Sequence, residues 1–258
     1  MGTVAKALSL LSQFSLSRPE IGLSDMARLS GMNKATVFRL LSELETGGLI
    51  EQIGPTRAYR LGSGLLRLAT LRDAAVPLRS IAGSVLDELC ATTHETVHMS
   101  LLQGQHLNAL AHRYSSTHAT RVTMEDAAEL SFHATSSGLA VLAFSDPGFV
   151  DTVLSSPLRT FTKDTRTDSA QIRATLDSIR QTGIAESIGG FEVDVHSHAA
   201  PVFGPNRHPI GALAVAAPVS RMTGRAPASI QRQVATQAQE LTKQIGGFCP
   251  PDFPISQD

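Results

Sequence analysis

At 258 residues, with 42% apolar side chains, the chain exceeds the usual single-domain length and can fill real cores, so two domains are expected. Its net charge of −1 hides an asymmetry: through Ala75 nine Lys and Arg stand against six Asp and Glu, and after it thirteen stand against seventeen, which suits a DNA-binding head on a body that avoids DNA. The two cysteines, Cys90 and Cys249, exclude a disulfide framework and a Cys-based metal site; with no signal peptide and no bilayer-length apolar run, a cytoplasmic setting is expected.

Val4, Ala7, Leu8 and Leu11 keep helical spacing and predict a first helix from Thr3 to Phe14, broken by Ser17-Arg18-Pro19. The next stretch, Leu23 to Gly48, reads as a short helix (Leu23–Ser30), a turn at Gly31, and a second helix opened by Asn33. Glycine enters left-handed backbone at no steric cost, and an Asn side chain accepts a bond from a free first-turn amide. In the second helix Val37, Leu40, Leu41 and Leu44 recur at i, i+3, i+4 and i+7, one apolar face. Ala35, Arg39 and Ser42 lie opposite, flanked by Lys34 and Thr36, the pattern of a helix that lies in a major groove about 12 Å wide. Alone, this is equally an ordinary surface helix pair.

Two strand-like runs, Leu49–Ile53 and Arg57–Leu61, flank Gly54-Pro55-Thr56 and predict a hairpin. The order is that of a winged helix-turn-helix domain, residues 1–62. The recognition helix runs from Asn33 to Glu45. The expected DNA contacts are Asn33, Lys34, Thr36 and Arg39, with Ala35 and Phe38 against thymine methyls. Ser24 and Arg57 are expected on phosphates, and Arg57 and Arg60 as the cations of the wing. Residues 63–75 form a linker helix around Leu65, Leu66, Leu68 and Ala69, with Arg67, Arg72 and Asp73 outward. Its apolar side calls for a partner such as a second subunit.

The body, residues 76–248, begins with a helix marked by Leu78, Ile81, Val85 and Leu89. Strands follow at Thr96–Gln103 and Leu107–Tyr114, then a loop over 115–129 holding a short strand, Arg121–Met124, and a further strand, Leu130–Ala134. Thr135-Ser136-Ser137 caps a helix running to Phe144, either as a simple cap or as an anion-friendly end. A short helix, Phe149–Leu154, leads through a polar connection to a helix marked by Ile172, Leu176 and Ile179 and closed by Gly183. Irregular strand over Ile184–Val195 precedes a hairpin of His196–Val202 and Ile210–Pro218, the latter apolar throughout like a central strand. A last helix carries Ile230, Val234, Leu241 and Ile245, and residues 249–258 are a tail. The body is an α+β domain with a mostly antiparallel sheet.

All nine histidines lie between His94 and His208. His94/His98 and His196/His198 have ligand spacing, yet no acidic or cysteine partner is evident beside them, so they read as structural and no metal is expected. A metal-filled pocket is the alternative. No G-x-S-x-G, P-loop or strand-following G-x-G-x-x-G is present, so no catalytic residue and no cofactor is expected. A hydrolase, the enzymatic alternative, has no use for a basic winged head. A scaffold binding another protein through the wing is the third reading.

Taken together, the chain resembles the IclR family of transcriptional regulators. The resemblance rests on Ala5-Leu8-Leu11, on Leu23, Ala27 and Gly31, on Lys34, Thr36, Val37, Arg39, Leu40 and Leu41, and on Tyr59-Arg60-Leu61-Gly62. In the body it rests on His133-Ala134-Thr135-Ser136-Ser137-Gly138, on Ala199-Ala200-Pro201-Val202 and on Ile210-Gly211-Ala212-Leu213. It implies a GAF-like effector domain, a dimer joined through the N-terminal domains, a dimer of dimers, an operator DNA partner and a small-molecule effector. The effector-site residues it implies are Met99, Met124, Phe132, Ala134, Thr135, Ser136, Ser137, Asp194, Ser197 and Ala214. Departures from the family pattern are Asn33 for proline, Ala35 for serine, Ser197 for cysteine, Ala214 and Ala216 for serines, and Gly190 for an acidic residue. The lost hydroxyls point to an effector more apolar than glyoxylate or pyruvate, an aromatic or branched acid, unless they are ordinary core substitutions.

Overall fold

The computed structural model describes residues 2–15, 17–75, 77–124 and 128–254, with the side chains of residues 72, 73 and 75 excluded. The outward Arg72 and Asp73, part of the 115–129 loop and the end of the tail therefore lie outside the described residues. The chain divides into two compact units, Met1–Pro77 and Leu78–Asp258. Among the described residues no helix is long and apolar enough to cross a membrane.

The first unit holds α1 (Thr3–Leu11), α2 (Leu23–Ser30), α3 (Lys34–Thr46), the strands β1 (Ile50–Gln52) and β2 (Tyr59–Leu61), and α4 (Ser63–Ala75). Gly31 ends α2 at φ 66°. Asn33 caps α3, its Oδ1 accepting from the Thr36 amide at 2.8 Å. Val37, Leu40, Leu41 and Leu44 are buried with Leu10, Ile21, Met26, Ile50 and Tyr59 in one core. The packing face of α1 differs from the one its spacing suggests: Ala7, Leu10, Leu11 and Phe14 meet the core, whereas Val4 and Leu8 are exposed. On α4, Leu66, Leu68 and Leu71 are exposed as well.

The second unit is a five-stranded antiparallel sheet with helices on both faces. Its elements are α5 (Leu78–Thr93), β3 (Thr96–Gln103), β4 (His106–Arg113), α6 (Ser136–Ala143), α7 (Pro147–Ser155), α8 (Ser169–Thr182), β5 (Ala185–Ile188), β6 (Val195–Phe203), β7 (Pro209–Pro218) and α9 (Ala226–Gln244). The strand order is β4-β3-β7-β6-β5, so the apolar run of β7 is the central strand, buried on both faces. On one face α5 and α9 pack against Val97, Met99, Ala111, Ala200, Val202, Leu213 and Val215. On the other, α6, α7 and α8 pack against Leu107, Ala185, Ala199, Ala212 and Ala214.

Two expected strands are absent. Arg121–Met124 has no ladder; it is pinned instead by Thr96 Oγ1 donating to the Val122 carbonyl at 2.7 Å and by Tyr114 Oη, which bonds the Met124 carbonyl and amide. Leu130–Ala134 is not a strand either. The Leu130 amide reaches the Leu107 carbonyl, after which the chain turns so that Ser131 O can accept from Thr135 Oγ1 at 2.8 Å. The cap of α6 takes the residues that their β propensity assigned to a sheet.

Candidate functional site

Two surfaces carry chemistry. The first is the outer face of α3. The cap and the buried Val37–Leu44 stripe fix the helix rotation, so Asn33, Lys34, Ala35, Phe38 and Arg39 are exposed and Thr36 is half-buried. Phe38 keeps 51% of its surface in solvent. Arg39 points away from the core. Ser24, on the first turn of α2, is exposed.

The wing departs from expectation in one respect. Arg60 Nε lies 2.5 Å from Glu51 Oε1 across the hairpin, its side chain still about half exposed, so its charge is partly offset, while Arg57 is exposed beside it. Arg57 sits at φ 53°, a left-handed conformation that closes the turn: its amide reaches the Ile53 carbonyl, and the Ile53 amide reaches the Ala58 carbonyl.

The second surface is a hollow of about 420 Å³ in the second unit, at the first turn of α6. Thr135 caps that helix, accepting from the Gly138 amide at 3.0 Å. The first amides of any helix lack an acceptor within it, so those of Ser136 and Ser137 are the donors that remain at this end. A carbon at Gly138 would lie 2.3 Å from the Ser131 carbonyl oxygen; glycine lets the 131–132 backbone press against the helix. His133 holds the same turn from outside. Its Nε2 donates to the Arg159 carbonyl at 2.9 Å, so its Nδ1 accepts from Ser131 Oγ at 3.0 Å.

Of the residues proposed from the family pattern, Met124, Ala134, Thr135, Ser136, Ser137 and Ser197 line the hollow. Four do not. Met99 is buried on the opposite face of the sheet, against α5 and α9; its neighbour His98 takes the place it was given. Ala214 is fully buried in the core beneath α6, and Ala216, two residues on, reaches the hollow. Phe132 borders an adjoining cleft and stands edge-on to Phe149. Asp194 is exposed.

The sequence reading missed His98, Ser187 and Phe191 on the wall, and gave Ala216 only as a departure from the family's serines. His98 Nε2 lies 3.0 Å from Ser137 Oγ, and its Nδ1 has no partner. Burial, then the neighbouring His112, draws the His98 pKa down to about 4, so the imidazole is neutral at physiological pH. A serine–histidine pair without a carboxylate behind the histidine lacks the orienting group of a nucleophile. Ser187 Oγ donates to the Ala134 carbonyl at 2.8 Å. At Gly190 a carbon would meet that carbonyl oxygen and Ser187 Oγ, each at 2.7 Å; the absent side chain lets this loop close on the α6 turn. Phe191 then lies against Phe161, centroids 4.6 Å apart.

The histidine pairs also separate. His94 is exposed at the end of α5 and His98 is buried in the hollow. His196 and His198 lie elsewhere, and the expectation that no acid accompanies them fails: Glu186 of β5 pairs with His198 in the ladder, and its carboxylate lies 2.8 Å from His196 Nε2.

The model of the IclR helix-turn-helix domain matches residues 3–54, and that of the bacterial transcriptional regulator IclR C-terminal domain matches residues 73–243. A crystal structure from Silicibacter sp. TM1040, assigned as an ICLR transcriptional regulator, is 58% identical with a TM-score of 0.94, covering 98% of this chain and all of that one. The glycerol operon regulatory protein of Streptomyces griseus is 30% identical over 220 residues, 85% of this chain and 86% of its own. An IclR homolog from Microbacterium hydrocarbonoxydans, solved with 4-hydroxybenzoate, shares the fold at 24% identity and a TM-score of 0.77, over 94% of this chain and all of that one. With both of its units matched in order, the chain belongs to the IclR family of transcriptional regulators.

Proposed function

We propose that the protein is a repressor of a catabolic operon that holds a pseudo-palindromic operator through α3 and responds to a small organic acid in the hollow beside α6. The carrying observation is that hollow's polarity. Its polar end is the α6 first turn with the His98–Ser137 pair, and its other walls include Val122, Met124, Leu130, Phe191 and Ala216. No lysine or arginine is among the described lining residues, which do include the exposed Glu129 and Glu192, so an anion would be held by helix amides and hydroxyls at the α6 end. The volume falls in the range of about 300–1,000 Å³ usual for small-molecule sites, and two- or three-carbon acids leave most of it empty. The Microbacterium homolog's 4-hydroxybenzoate supports the aromatic class. Calorimetry comparing 4-hydroxybenzoate-type acids with pyruvate tests it; preferential pyruvate binding overturns the aromatic assignment.

On the DNA side, Lys34, Thr36 and Arg39 meet base edges or phosphates, Asn33 caps the helix at the groove, and Ala35 and Phe38 meet thymine methyls. Ser24 and Arg57 hold phosphates. Replacing Arg39 by alanine weakens specific binding by about 1–3 kcal/mol if it reads a base; an unchanged footprint shows that it does not. The exposed Val4 and Leu8 of α1 and Leu66, Leu68 and Leu71 of α4 support a dimer joined through the N-terminal unit, with half-sites about one helical turn apart. The effector regulates only by binding one arrangement better than another, with coupling of about 1–3 kcal/mol.

A further inference from the structure

The ladder between β5 and β6 has two faces. Ser187 and Ser197 look into the hollow, so their neighbours Glu186, His196 and His198 look the other way, toward α9. There His196 Nε2 lies 2.8 Å and His198 Nε2 3.8 Å from the same oxygen of Glu186. One donor atom from each of the three falls within 4.8 Å of the others. Both imidazoles are buried, while the Glu186 side chain is 46% exposed and opens onto a separate depression bordered by Gln231 and Arg232 of α9.

His198 supplies the independent observation. It is wholly buried, its Nε2 makes no hydrogen bond, and that atom faces the carboxylate. An unsatisfied buried nitrogen is costly and calls for an explanation. We propose that Glu186, His196 and His198 form a divalent-metal site of zinc type, on the opposite side of the sheet from the effector hollow. Two imidazoles and one carboxylate are a donor set that zinc accepts with a further position left to water, and the depression beside Glu186 gives solvent access. Tetrahedral donors stand about 3.3 Å apart, so the cation draws His198 inward and opens the tighter His196–Glu186 contact. His198 Nδ1 lies 3.5 Å from the Gln231 side-chain amide. With the amide oxygen turned toward it, Nδ1–H is held and the Nε2 lone pair is presented to the metal, the usual outer support of a ligating histidine.

The test uses the full-length chain without a histidine tag, stripped with a chelator, dialysed and titrated with zinc sulfate by calorimetry beside Glu186→Gln and Cys249→Ser. Wild type and Cys249→Ser should bind one equivalent. Glu186→Gln should bind at least about tenfold more weakly, since even an outer partner of a ligand carries that much. Zinc should raise the unfolding temperature of wild type and not that of Glu186→Gln, whose partly exposed side chain can lose its charge without opening the core. Absence of saturable binding by wild type, equal affinity in Glu186→Gln, or loss of binding in Cys249→Ser each overturns the site.

Discussion

Replacing Gly138 by alanine sets two effects of known sign against each other. Alanine in place of a helix-interior glycine gains about 1 kcal/mol of propensity. Here the added carbon would lie 2.3 Å from the Ser131 carbonyl oxygen, 2.4 Å from Phe132 Cα and 2.6 Å from the Phe132 carbonyl oxygen. All three are backbone atoms, so no rotamer change relieves them; α6 and the 131–132 turn must part. Overpacking of this kind costs about 1–3 kcal/mol, and a backbone clash belongs at the upper end, which leaves a net loss of about 2 kcal/mol. For a unit of this size that lowers the unfolding temperature by about 4–8 °C. Gly148, on the first turn of α7, has nothing within 4 Å of its added carbon, so Gly148→Ala is the control, expected to be neutral or stabilising. Scanning calorimetry of both variants decides the matter. A Gly138→Ala transition at or above that of wild type would refute the close-approach argument. Because the same turn presents Ser136 and Ser137 to the hollow, effector affinity should fall with it.

Asn33→Ala should cost the first unit about 1 kcal/mol, the usual worth of such a cap, while Asn33→Asp keeps it; equal losses in urea denaturation would show that the 2.8 Å bond to Thr36 contributes nothing. Arg57→Gly suits the left-handed backbone at φ 53°, so the fold should hold while operator affinity drops and its salt slope shrinks by about 1; an unchanged slope in salt-titrated gel shifts would remove Arg57 from the phosphate contacts. His98, with a folded pKa near 4 against an ordinary 6.5, binds its proton more readily in the unfolded chain. Stability should therefore fall as pH drops from about 6.5 to about 4 and level off below, a loss of up to about 3 kcal/mol. In pH-dependent denaturation His98→Asn should reduce that slope without abolishing it, because burial draws the His198 pKa down to about 4 as well; an identical profile would place the titration elsewhere.

Sequence alone was sufficient wherever the deciding interactions are local. The Gly31 turn, the Asn33 cap, the buried stripe of α3, the Gly183 stop and the Thr135 cap all depend on bonds three or four residues apart, and a run of side chains displays them directly. It also sufficed for the family, because the order of such pieces is specific even where each is common. Tertiary structure decided the rest. Met99 and His98 are adjacent on a strand buried on both faces, where the alternation that marks an inner face is erased; the register Ser100↔Ala212, across more than a hundred residues, turns His98 into the hollow and Met99 away. A different pairing, Glu186↔His198 between β5 and β6, brings Glu186 to His196 and His198. Leu130–Ala134 has the composition of a strand, but α6 leaves its first amides and cap to be satisfied, and only the folded chain shows that this turn does it.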